Sequence, residues 1–138
     1  MIRRILLGYD GSPIAEKAFG VAMEFARQFD ASLDVLAVAR PPEIGDDVET
    51  EAIVETAGQK LRRQMKQLEA VAQRANVRAT FHLQIGHPAE HILAFAENHS
   101  IDHIIVGHIG KSAMKRWLVG SVSRQVVDYA LCSVTVVR

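Results

Sequence analysis

Apolar runs of strand length alternate with helically periodic segments along this chain, and that alternation points to βαβ units around a parallel sheet. The first run centres on Ile5-Leu6-Leu7 within about 3–9. It leads into a helix over about 13–29, with Pro13 suited to the first turn and an apolar stripe from Ala15 to Phe29. A second strand over about 33–38 is followed by a polar break and a helix over about 49–75. That helix carries Val54, Ala57, Leu61, Met65, Leu68, Ala72 and Ala75 at intervals of three and four, the spacing of one buried face. The third strand, 79–85, alternates Ala79, Phe81, Leu83 and Ile85 with Thr80, His82 and Gln84, which predicts an edge position with one wet face. A helix over about 88–98 opens at Pro88, and Ile104-Ile105-Val106 is apolar throughout, as a central strand must be. A helix over about 121–131 precedes the last strand, Val134 to Val137.

Right-handed crossovers order such strands 3-2-1-4-5, giving a doubly wound five-stranded α/β fold with helices on both faces. The pattern predicts one domain over 1–138, with no repeat and no second unit. Its topological switch lies between strands one and four, so a ligand belongs above their carboxyl ends. The segments there are Gly8-Tyr9-Asp10-Gly11-Ser12 and Gly107-His108-Ile109-Gly110.

Sixteen basic residues balance sixteen acidic ones, so no global field draws the chain to nucleic acid or to a membrane surface. Any bound anion must be held locally. The single cysteine, Cys132, excludes an internal disulfide and suits a reducing compartment, where it reads as a small buried hydrophobe rather than a nucleophile. The apolar start Ile5-Leu6-Leu7 stops at Gly8 without a cleavage site, and no run reaches the roughly 20 residues that span a bilayer. The expectation is a cytoplasmic protein. His87 and His91 stand four apart, but no cysteine pair or acidic cluster completes a metal set.

Chemistry concentrates after strand four. Gly107 and Gly110 let the backbone turn and approach a ligand, and Gly120-Ser121 opens a helix whose first N–H groups favour an anion. Hydroxyls of Ser121 and Ser123 add donors to the same phosphate or cap the helix. No acidic residue lies between Asp102 and Asp128, whereas Lys111, Lys115, Arg116 and Arg124 are basic. Gly110-Lys111-Ser112 is not a Walker A loop, because the position of its first glycine holds Ile105. The dinucleotide fingerprint is absent as well. The bland readings remain open: glycines as turn formers, Asp10 as a turn or helix cap, Trp117 and Met114 as loop packing, and the acidic run from Glu43 to Glu55 as a solvated face.

Gly107-x-x-Gly110, nine residues, then Gly120-Ser121 resembles the G-x2-G-x9-G-[S/T] signature of ATP-binding universal stress proteins. The resemblance covers nearly the whole chain, from Ile5 through Ser12 to the closing Val134-Thr135-Val136-Val137-Arg138. It implies a dimer formed through the last strand and a set of site roles. Asp10 would contact adenosine with Gly8 beneath it, and the backbone of Val38 would bond adenine. Gly107 and Gly110 would line ribose and phosphates, and Gly120, Ser121 and Val122 would hold phosphate through N–H groups. Ser133 stands where the family usually has proline.

The implied function is ATP, ADP or AMP binding in stress response or signalling by a homodimer, with Mg²⁺ arriving on ATP and an unknown protein partner. It is not a fast enzyme, since no base stands clearly beside a γ-phosphate. The competing classes are an ATPase or phosphoryl-transfer enzyme, which predicts ordinary turnover, and a nucleotide-free docking dimer, which predicts purification without ligand.

Overall fold

The computed structural model of the chain describes residues 1–41, 48–109 and 120–138, the side chains of 48–55 excepted. Five strands and four helices alternate: β1 (Arg4–Tyr9), α1 (Pro13–Phe29), β2 (Ser32–Ala39), α2 (Val48–Arg74), β3 (Ala79–Ile85), α3 (Pro88–Asn98), β4 (His103–Gly107), α4 (Ser121–Tyr129) and β5 (Ser133–Val137). The sheet runs β3-β2-β1-β4-β5 and every pairing is parallel. The expected order is therefore the observed one. Helix α4 stops at Tyr129, short of the expected 131, and β4 begins one residue early, at His103.

Strand periodicity sorts side chains onto two faces. Ile5, Leu7, Leu33, Val35 and Ile105 meet α1 and α2 on one face, while Leu6, Leu36, Val38, Ile104 and Val106 meet Ile92, Phe95 and Val126 of α3 and α4 on the other. Helix α1 begins with Ser12 as its N-cap, whose side chain accepts the Ala15 N–H, and with Pro at the position where no donor is needed. The apolar stripe of α2 is buried from Leu61 to Ala72, but Ala57 is exposed and Val54 lies among the side chains outside the described set. Periodicity marks a face; the neighbouring sheet decides how much of that face is covered.

Strand β3 is at the edge, as its alternation implied, yet only Thr80 of its polar face is exposed, while His82 and Gln84 are half-buried. The His82 ring packs on Phe95 at 4.8 Å, and His91 Nδ1 lies 2.5 Å from Gln84 Oε1. Beneath this roof, His82 Nε2 is 2.9 Å from the buried Asp34 carboxylate, with Arg4 at 3.9 Å on its other side. A polar strand face was covered by α3 through paired groups, which alternation alone does not reveal.

Polar contacts also fasten the amino ends of the strands. Asp102 Oδ2 accepts the N–H groups of Arg3 and Arg4 at 2.9 and 3.1 Å. His103 lies 2.7 Å from Thr135 Oγ1, and burial lowers the pKa of its imidazole. These ties leave the opposite, carboxyl ends of the strands to carry the site.

Candidate functional site

Strand β1 ends at Tyr9, whose buried hydroxyl donates to Glu16 and so anchors the strand to the first turn of α1. Burial raises the phenol's pKa, reinforced by the hydrogen bond and charge of Glu16 and by the charge of Asp10. The chain then turns sharply. Asp10 Oδ1 accepts the Ser12 N–H at 2.9 Å, and Gly11 takes φ +79, a conformation that a side chain disfavours. Gln64 of α2 closes over this loop, its Nε2 donating to the Gly11 carbonyl at 3.2 Å. The turn reading of Asp10 is thus realised for one oxygen.

At the end of β2, the Ala39 carbonyl faces β3 and accepts the Gly86 N–H at 3.0 Å. Carbonyl direction alternates along a strand, so that of Val38 faces the β1 side, above the last paired residue, Tyr9. The backbone of Val38 therefore reaches the same crevice as Asp10.

Across the switch point, His108 acts as a staple, a role that sequence reasoning did not assign to it. Its N–H donates to the Val137 carbonyl at 2.7 Å, and its carbonyl accepts the Gly120 N–H at 2.6 Å. Ser123 Oγ lies 3.0 Å from both the His108 and the Gly120 carbonyls, with the residue 2% exposed. The hydroxyl of Ser123 and the amide of Gly120 are consequently used inside the protein. The first helical bond of α4 is Arg124 N–H to Gly120 carbonyl, which leaves the amides of Ser121, Val122 and Ser123 ahead of it. Those are the donors that α4 presents. No backbone signal in the sequence specified this division, because the staple depends on where β5 ends.

The glycines have distinct reasons. A Cβ on Gly8 would stand 2.7 Å from Ile92 Cδ1 and 3.2 Å from Val106 Cγ1, and one on Gly107 would stand 2.6 Å from Ile14 Cγ2. Both admit close helix approach to the sheet, so they shape the crevice by packing. Gly120 has φ −63 and ψ 157, open to any residue, so its turn imposes no need for glycine. Gly110, with Lys111, Met114, Lys115, Arg116 and Trp117, lies outside the described residues.

Gly8→Ala is expected to lose about 1–3 kcal/mol by overpacking. Combining it with Ile92→Val, which removes the clashing methyl, should recover part of that loss in a denaturant double-mutant cycle. Additive losses would show that the α3 contact is not the reason for this glycine.

Beside these elements is a cavity of about 260 Å³, lined by Arg40, His87 to Glu90, Ser121, Val122 and Gln125. It joins the first turns of α3 and α4, two positive helix ends, above the sheet. Cys132 sits apart, just before β5, packed against the α3–α4 core, and burial raises its thiol pKa.

The family model described as the universal stress protein family matches residues 1–138. A universal stress protein of Thermus aquaticus is 35% identical over 139 residues, covering 100% of both chains. The YxiE universal stress protein of Bacillus subtilis is 30% identical over 153 residues, again covering 100% of both. Among solved structures, the universal stress protein UspA from Lactobacillus plantarum matches with TM-score 0.91 at 28% identity, covering 99% of this chain and 97% of that one. Two others share the fold at 20% and 18% identity, with TM-scores 0.77 and 0.68: a universal stress protein in complex with cAMP, covering 99% of this chain and 97% of its own, and one from Archaeoglobus fulgidus in complex with dAMP, covering 100% and 98%.

Proposed function

Since the chain belongs to the universal stress protein family, we propose that it binds adenine nucleotides, ATP foremost, as a cytoplasmic stress-response or signalling homodimer with little or slow hydrolysis. The observation that carries this reading is the row of α4 amides, Ser121 to Ser123, held at the switch point by the His108 staple. Phosphate would sit on these amides, adenosine between Asp10 and the Val38 backbone, and Gly107 and Gly110 along the ribose. Gly8 supports the crevice from below through its contact with α3. Relatives solved with cAMP and dAMP support an adenine ligand in this fold. Mg²⁺ would arrive with ATP.

Fast phosphoryl transfer requires a positioned base and stabilisation of transition-state charge. Asp10 is expected at the adenosine end and has one oxygen committed to Ser12, which favours a binding role over a catalytic one. Occupancy would then be read by a protein partner as a change in the stability or shape of the dimer. No helix among the described residues is long and apolar enough to cross a membrane.

Purified chain should show a raised unfolding midpoint with ATP and should carry nucleotide detectable by mass spectrometry. A midpoint indifferent to ATP, ADP and AMP, with no retained nucleotide, would overturn the reading.

The dimer surface is expected at β5, the sheet edge, next to which Val127, Tyr129 and Leu131 are exposed, Leu131 by 86%. Leu131→Glu should convert a dimer to a monomer in sedimentation velocity while leaving the circular dichroism spectrum unchanged. A dimer that persists would move the interface elsewhere.

A further inference from the structure

Resting on the nucleotide reading above, we propose that Arg40 and His87 grip the terminal phosphates of the ligand from the side opposite α4, so that this chain prefers nucleoside polyphosphates to monophosphates. The cavity places the two residues with Ser121 and Val122, the start of the phosphate-binding turn. Arg40 follows directly on β2, and its exposed guanidinium has no hydrogen bond or ion pair with another described residue. His87 is the N-cap of α3, yet its ring makes no capping bond to that helix and no bond to any other described residue. A capping position normally filled by an oxygen acceptor is here held by a ring that can donate toward the cavity.

The lining sets the chemistry of the guest. Gln125 and the hydroxyl of Ser121 supply neutral donors, and the amides at the two helix ends add positive partial charge. Glu90 is the one acidic group there. It lies in the first turn of α3, where the helix dipole favours a carboxylate, and it opposes an entering anion. A single phosphate seated on the amides of α4 has little need of Arg40. A di- or triphosphate carries charge beyond those amides and gains a guanidinium that has no partner to release among the described residues.

The test is isothermal titration of the purified protein with ATP, ADP and AMP, for wild type, Arg40→Gln, His87→Ala and Glu90→Gln. Arg40→Gln should weaken ATP about tenfold and AMP by less than about twofold, the range of one charge-assisted hydrogen bond. His87→Ala should weaken ATP about threefold, and Glu90→Gln should strengthen it by a similar factor, reflecting removal of one opposing charge. Ligand-free unfolding midpoints should stay unchanged, because all three side chains are exposed. An ATP-to-AMP affinity ratio that is the same in wild type and Arg40→Gln would overturn the proposal while leaving nucleotide binding intact. A wild type that binds none of the three would overturn the underlying reading and this one with it.

Discussion

Gly120→Val is expected to abolish the thermal stabilisation that the proposed nucleotide site predicts for ATP, while the ligand-free protein should still fold. The backbone at this position, φ −63 and ψ 157, is ordinary extended geometry that valine adopts without strain. Its N–H remains to bond the His108 carbonyl, so the staple survives the change. The cost to the apo protein is that of a poor N-cap residue, about 1 kcal/mol. The cost to the complex is different in kind, because three added carbons at the start of α4 would crowd the proposed phosphate position beside the Ser121 and Val122 amides. At a hundredfold excess of ligand over Kd the lost stabilisation is about 2.7 kcal/mol, or about 8 °C in midpoint for a chain of this size. Differential scanning fluorimetry with and without ATP measures it. A variant that keeps the full shift would place the phosphate away from the start of α4.

That outcome also separates what the sequence could tell from what it could not. The strand order was legible because each strand's hydrophobicity matched its place: Ile104 to Val106 apolar on both sides in the middle, Ala79 to Ile85 alternating at the edge. The helix start at Gly120-Ser121 was also legible, since a glycine followed by a helix start is a local property. Long-range contacts were not legible. The covered polar face of β3 depends on Phe95 and His91 of α3 meeting His82 and Gln84, and nothing near those residues in sequence announces it. Similarly, Ser123 read as a possible phosphate donor, yet the strands deliver the His108 carbonyl to its hydroxyl and turn it inward. Arg40 and His87 lie 47 residues apart in number and join one cavity only through the order of β2 and β3. Local chemistry travels with the sequence; partners arrive with the topology.

Gly11→Val should be the most damaging single change in the loop, costing about 3 kcal/mol and removing nucleotide binding together with stability. Two independent effects act at this residue. The backbone φ of +79 is one that a β-branched side chain takes only under strain of about 1–3 kcal/mol. A Cβ built there also collides with Gln64 Oε1, so the amide that closes over the loop must shift. With it goes the bond from Gln64 Nε2 to the Gly11 carbonyl, a tie between α2 and the β1–α1 turn. The turn that the Asp10–Ser12 bond defines would then lose both its geometry and its cover. Urea denaturation gives the first effect, and ATP titration of the still-folded fraction gives the second. Gly11→Val paired with Gln64→Ala discriminates between them. Removing the amide relieves the clash but not the strain, so the double variant should regain only part of the lost stability and still bind nucleotide poorly. Full recovery in the double variant would mean that the left-handed backbone at position 11 carries no strain of its own.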